Sequence, residues 1–424
     1  MCKMTSGSLV QKKRFSWVAL AICITLLGQV LYVWFLQPQP EVWGYETESQ
    51  NFLHGKGITM RYLGTEYRAL FHPFYPLLCI SLYRLFGQSH FVITVAQIMA
   101  FGCLASLIFW IGKEVFSEEV GSLVTLLVCL HPGLFIYTTR KLHPLVFDAF
   151  LFLLFLLFSL KCRKKMNLSR AVLGGFILGV TLLSRSTILL FAVLTSIWFF
   201  KRWDFHWRKK VLFLVTFVLA AILVMTPWWI RNFIALGRWI PLTTTFGLQL
   251  WIGNNPNATG TPLTPSGKAV LFQDKEFLER IHQLNELGQA QLFREEAWRY
   301  IQEHPLRTFQ LFLKKIYYFW WFSPQSGLWY PPHWYLFYRL WYWIIVSLAV
   351  LGMGFGLKRA VLPEQREKIF LLMLFLLSIS LFQSIFFVEG RHRLAIEPIL
   401  LIFSAEGMRL VWMKIKKRGM TPLS

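Results

Sequence analysis

Long uncharged apolar runs dominate the chain. Phe15 to Leu36 carries no charge and follows Lys12-Lys13-Arg14. Further runs cover 91–112, 120–137, 149–160, 171–184, 186–200, 211–230, 340–357 and 369–388. A last one, 394–412, contains Glu397, Glu406 and Arg409. About 20 apolar residues are needed for a helix to cross the hydrocarbon layer of a bilayer. The first run has no small-residue cleavage site and reads as an uncleaved span.

Lys and Arg decide the sidedness, because short cytoplasmic loops retain them. The basic clusters lie at 12–14, 161–165, 201–210, 358–368 and 414–418. Placing all five inside gives one consistent alternation of ten spans, within a range of nine to twelve, with both termini cytoplasmic. Residues 37–90, 138–147, 184–187, 231–333 and 389–393 then face outward. Segments 71–86 and 306–322 are expected to lie at the outer surface: the first is short and holds two prolines, and Lys314-Lys315 interrupt the apolar pattern of the second. The expected fold is an all-α polytopic membrane protein. It divides into an N-terminal transmembrane module (1–230, with first outer loop 37–90), an outer loop region (231–333) and C-terminal transmembrane helices (334–424). Within the loop region 274–303 reads as an amphipathic helix or pair, with Gly288 expected to interrupt it.

Composition narrows the classes. Of 424 residues 55% are hydrophobic and only 15% charged, and 40 Phe and 19 Trp point the same way. A soluble enzyme, a disordered chain and a disulfide scaffold are excluded. The net charge of +23 sits mostly beside apolar runs, as expected for loops facing anionic lipid rather than nucleic acid. The six cysteines stand singly, with neither metal-ligand nor disulfide spacing. No paired-carboxylate motif stands out in the outer loops, so no metal or cofactor is expected.

The informative residues are cations on the outer side. Arg140-Lys141, Arg185, Arg231, Arg391 and Arg393 lie at outer ends of spans, where the topology rule disfavours them. Such a cation has a fixed anionic partner. That partner could be a lipid phosphate, whose oxygens match a guanidinium fork, or an internal acid such as Asp148 or Glu397. Glu41 follows the first span almost directly and puts a carboxylate near the same surface, either as a general base or as a solvated loop acid. His143 either opens a helix or hydrogen-bonds substrate. Asn254 and Asn255 fit sugar hydroxyls and turn chemistry equally well.

Several segments carry a family resemblance. Thr226-Pro-Trp-Trp-Ile-Arg-Asn-Phe-Ile-Ala-Leu-Gly-Arg238 resembles the PWxxRNxxxxGR element of bacterial membrane glycosyltransferases related to glycosyltransferase family 39, the dolichyl-phosphate-mannose protein mannosyltransferases of GT-C fold. Trp251-Ile-Gly-Asn-Asn-Pro-Asn-Ala-Thr-Gly260 is similar to that family's WIGNNPxATG loop. Pro40-Glu-Val-Trp-Gly-Tyr45 through Gly57, His72-Pro-Phe-Tyr-Pro76, Leu183-Ser-Arg185 and Arg391-His-Arg-Leu-Ala-Ile-Glu-Pro398 resemble further elements in the same order.

The resemblance implies a GT-C fold of about ten spans and an enzyme using a polyprenyl-phosphate-linked sugar, active at the outer face of the plasma (inner) membrane. Its acceptor would be a lipid, glycan or protein. It makes Glu41 the catalytic base, where the family usually has Asp. It places Arg185, Arg231, Arg391, Arg393, Tyr45, His143, Asn254 and Asn255 around the substrate and lipid phosphate. The second outer loop departs from the family, reading Leu142-His143-Pro144 where an acid is usual. Two other classes stand beside this reading. One is a non-catalytic lipid-phosphate-binding or transport component of an envelope glycan pathway. The other is a solute transporter, which the lack of paired inverted halves disfavours.

Overall fold

A computed structural model describes residues 6–163, 166–328, 331–360 and 362–418. Lys164 and Lys165 of the second basic cluster lie outside the described residues. Each expected apolar run is helical. Ser16–Leu36, His90–Val115, Leu145–Cys162, Trp207–Leu236, Pro332–Lys358 and Pro363–Ile385 are long and apolar enough to cross a membrane alone. A seventh span arises if Glu118–Cys129 and Pro132–Thr139, bent by 55° at a short break, count as one. The break has a local cause, since the His131 side chain caps the second helix and Pro132 occupies its first turn. The remaining three of the ten expected spans are helices that fall short by length or charge. Leu168–Ser184 and Leu189–Arg202 are short and separated at Arg185, and Glu397–Arg418 carries buried Glu406 and Glu397.

Leu145–Cys162 is the central helix, 78% buried, whereas Ser16–Leu36 is peripheral, only 17% buried. With no water in the bilayer to drive helices together, close packing must do so, and small residues permit it. Pro332–Arg359 meets Glu397–Arg418 at Gly352 and Gly407, where an added Cβ would collide with the carbonyl oxygens of Phe403 and Leu348.

The two ends of the bundle differ. At one end Arg163 bonds Glu364 at 2.7 Å and Glu367 at 3.1 Å, Lys368 bonds Glu114 at 2.8 Å, and Arg202 bonds Glu367. These loops are the ones that the charge alternation groups on one side. At the other end meet the loops grouped on the opposite side. Lys315 is fully buried there, on a helix (Pro305–Trp320) whose exposed face shows Leu306, Phe309, Leu313 and Tyr317, the reverse of a water-soluble helix.

The chain is not purely helical. Among the described residues two short strand pairs occur: Glu41–Val42 runs parallel to Lys141–Leu142, and Met60–Tyr62 antiparallel to Thr65–Tyr67. The amphipathic region is a helix pair, Lys275–His282 and Glu286–Glu303, but Gly288 does not separate them. Asn285 does: its side chain accepts from the Gly288 N–H and caps the second helix. Gly288 therefore lies inside a first turn, where its cost is small.

Candidate functional site

The first outer loop begins by crossing under the second. Glu41 N donates to Arg140 O at 2.9 Å, and the parallel register sets Glu41 beside Lys141. Lys141 Nζ then lies 2.8 Å from Glu41 Oε2. The carboxylate side chain is 54% exposed while the lysine is 11% exposed, its ammonium 5.3 Å from the Tyr137 ring centre.

Across from this pair stands the short helix Gly390–Leu394, held by a capping box between Glu389 and His392. It presents Arg391, which bonds Glu389 and stacks 4.4 Å from the centre of the Trp43 ring. Glu41, Lys141, Arg391 and Arg393 all line one cavity of about 550 Å³. Its wall is rich in aromatic rings, among them Trp43, Phe322, Trp334, Tyr335 and Tyr338. With Glu389, two acids and three cations thus meet apolar rings, a composition suited to an amphiphilic anion.

Arg393 is bound differently. Its guanidinium is fully buried and bonds Glu397 at 2.7 Å, Tyr338 Oη at 2.9 Å and the carbonyls of Trp321 and Phe319 at 2.9 and 3.4 Å. It lies 3.6 Å from the Tyr342 ring centre, and Glu397 also accepts from Tyr338 and pairs with His131 Nε2 at 2.7 Å. The acceptors surrounding Arg393 are protein groups, which fix it as part of the cavity wall.

The other sequence candidates lie outside the cavity lining. Arg185 pairs with Asp148 at 3.2 Å, and Ser184 donates to the same carboxylate at 2.6 Å. Arg231 donates to the carbonyls of Ile58 and Arg68 and stacks on Trp228, tying the first loop to its helix. Tyr45 is packed against Phe71, Tyr75 and His143, and burial pushes its phenol up to about 12. His143 caps the Leu145 N–H through Nδ1. Burial, with Arg391, Arg185 and Lys141 nearby, holds it well below the usual imidazole range. It is a neutral ring wedged among Trp43, Tyr45 and Tyr137. Asn254 donates to Leu250 O and Ile385 O and accepts from Lys315, while Asn255 donates to Trp251 O and accepts from the Asn257 N–H. Asn255 is spent on its own turn, and Asn254 ties that turn to Lys315 and Ile385.

Sequence reasoning counted Lys141 only among the outward cations and gave no role to Glu389 or the aromatic wall. A signal existed for two of them: Trp43 follows Glu41, and Glu389 precedes Arg391, each at two residues' distance. Among the described residues no group of three or more His, Cys, Asp or Glu is placed to hold a metal ion.

Residues 72–230 match the family model described as dolichyl-phosphate-mannose-protein mannosyltransferase. Among solved structures the chain is similar to the archaeal oligosaccharyltransferase AglB from Archaeoglobus fulgidus in complex with an inhibitory peptide and a dolichol-phosphate. That match has a TM-score of 0.53 and 14% identity, over 94% of this chain and 50% of that one. The Archaeoglobus fulgidus oligosaccharyltransferase tethered to an acceptor peptide matches with the same score, identity and coverage. The fold is that of GT-C membrane glycosyltransferases. The chain spans half the length of these two proteins. ArnT from Cupriavidus metallidurans bound to undecaprenyl phosphate also matches, at TM-score 0.44 and 14% identity over 96% of this chain and 81% of that one. No curated protein sequence matches. The GT-C likeness and the cavity rest on different observations: the first follows the course of the helices, the second the side chains at one end.

Proposed function

We propose that this GT-C chain is a glycosyltransferase that moves a sugar from a polyprenyl-phosphate-linked donor to an acceptor hydroxyl. The observation that carries the reading is the meeting of Glu41 with Arg391, Lys141 and Arg393 around one aromatic-walled cavity at an end of the helix bundle. Dolichol-phosphate in the AglB complex supports a lipid phosphate as the anion. In this reading Glu41 takes the proton of the acceptor hydroxyl, whose oxygen bonds the anomeric carbon. The bond from that carbon to phosphate oxygen breaks, and the lipid phosphate leaves with the electron pair. Arg391 faces the charge that builds on the leaving oxygen, and Arg393 holds the wall on which Arg391 sits. The aromatic side chains accommodate the sugar ring and the first lipid units.

The cavity end is the extracytoplasmic one in this proposal, with both termini in the cytoplasm of a plasma membrane. Lys and Arg enrichment in the loops at the other end supports that orientation. The test is a reconstituted protein supplied with a polyprenyl-phosphate sugar and an acceptor glycan or lipid, with released lipid phosphate as the readout. Release by the wild type and its loss in Glu41→Gln are expected; equal release by both removes Glu41 from the mechanism. Loss of cellular function in Arg391→Ala, alongside full function in Glu41→Gln, would favour the non-catalytic lipid-phosphate-binding reading.

A further inference from the structure

The cations at this end of the molecule fall into two groups by what holds them. Arg185 and Arg393 are paired with Asp148 and Glu397, carboxylates that are almost entirely buried. Lys141 and Arg391 line the cavity, and their carboxylate partners Glu41 and Glu389 have side chains 54% and 29% exposed. An ion pair whose acid reaches solvent is weakened by water and screened by salt. It yields to a competing anion of higher charge. A pair with a buried acid does not, because separating it strands a charge in an apolar interior.

We infer that Lys141 is a phosphate-binding residue that Glu41 holds in reserve. Donor phosphate draws the ammonium off the Glu41 carboxylate and takes its place as partner. The exchange has two consequences at once. The phosphate gains a second cation beside Arg391, and Glu41 Oε2 loses its hydrogen-bond donor and becomes open to an acceptor hydroxyl. The base is thereby uncovered only when the donor is in place. The geometry favours the move. The parallel strand pair fixes both backbones, so only the side chains shift, and the Lys141 ammonium already lies 5.3 Å from the centre of the Tyr137 ring on the cavity lining.

This inference rests on the lipid-phosphate reading above, and the experiment separates the two. Affinity for a short-chain polyprenyl phosphate is measured by quenching of tryptophan fluorescence, since Trp43 and Trp334 line the cavity. The neutral polyprenol and inorganic phosphate are run alongside; binding of phosphate alone with equal affinity assigns the anion to a free phosphate. Removing the competing acid in Glu41→Gln should tighten binding about threefold or more, and Lys141→Met should weaken it about tenfold, the scale of one charge-assisted hydrogen bond. Lys141→Arg should restore most of the loss. In the double variant Glu41→Gln with Lys141→Met the gain from Gln should vanish, since no reserved cation remains to release. A merely structural ion pair predicts that any gain in Glu41→Gln, from loss of one negative charge beside the phosphate, persists in the double variant. Unchanged or weaker binding by Glu41→Gln, beside normal wild-type binding, overturns the exchange and leaves the lipid-phosphate reading intact. The expected effect of Glu41→Gln is a gain, so misfolding cannot imitate it. Absence of binding by every form, wild type included, overturns both.

Discussion

Two charge clusters border one cavity and are built on opposite plans. Around Arg393, acid, imidazole, phenols and backbone carbonyls close a buried network with Glu397 at its centre. Around Lys141 and Arg391, each cation meets an acid that reaches solvent and an aromatic face. The first cluster resists any change of partner because its charges have no water to return to. The second gives up a partner at small cost, since water and ions already reach it. A catalytic site at a membrane surface needs both. A rigid wall positions the groups, and a loosely held set exchanges ligands against it. Sequence position alone does not separate the two, because Arg391 and Arg393 stand two residues apart on one short helix.

The comparison breaks most visibly in kinetics. Glu41→Gln should lower transfer by about 10²- to 10⁴-fold, the range for loss of a general base. Its thermal midpoint should stay close to the wild type's, since the Glu41 side chain is 54% exposed. A parallel fall in activity and stability would mean that Glu41 belongs to the structural cluster instead. Arg393→Leu is the mirror case. Leaving Glu397 buried without its cation should cost about 3–5 kcal/mol of stability, seen as a large drop in melting temperature in detergent or nanodiscs. Adding Glu397→Leu should recover much of that loss. If Arg393→Leu melts like the wild type but loses lipid-phosphate binding, Arg393 is the exchangeable ligand and the assignment of roles reverses.

Much of this was legible in the chain and some was not, for physical reasons. The spans follow from apolar length, and the grouping of loops at two ends follows from Lys and Arg placement. Both depend on local composition alone. That an outward cation could pair with an internal acid such as Asp148 or Glu397 was also legible, but which cation takes which acid, and which is left to a ligand, was not. By contrast the partner of Glu41 comes from a strand contact between segments far apart in sequence, and two-residue strands leave no periodicity to read. The burial of Arg393 was equally hidden. A cation at a helix end looks the same whether it faces a ligand or a core acid, and only the fold brings His131, Tyr338 and Glu397 around it. Gly288 misled because glycine is as tolerable in a first turn as between helices, while the capping Asn285 made the actual boundary.

A smaller effect tests the wall from the loop side. Lys315 has no exposed surface and donates to Asn254 Oδ1 at 3.0 Å and Ile385 O at 3.3 Å. Burial lowers its ammonium to about 7 from an ordinary 10.5. The unfolded chain thus binds more protons than the folded one between those two values. Stability should rise with pH across that window, by up to about 1.4 kcal/mol per unit. Lys315→Met removes the titrating group, so its melting temperature should climb less between pH 7 and 10 than the wild type's. Parallel curves for the two proteins would show that Lys315 stays charged in the fold.

The smallest effect concerns the amides that suit sugar recognition and turn geometry equally on sequence grounds. Asn255 is 1% exposed; its amide donates to Trp251 O at 2.7 Å, and its carbonyl accepts from the Asn257 N–H at 2.8 Å. Those bonds hold a turn whose continuation, Thr261 to Leu263, lines the cavity. Asn255→Ala should therefore cost about 1 kcal/mol of stability, as for a buried hydrogen bond, and the loss should appear as a lower melting temperature. Apparent affinity for donor and acceptor should change only slightly, through loosening of the 261–263 segment. A KM for the sugar donor raised tenfold, with the melting temperature unchanged, would move Asn255 from the turn into the binding site. The loosely held cluster would then extend beyond the two cations and their exposed acids.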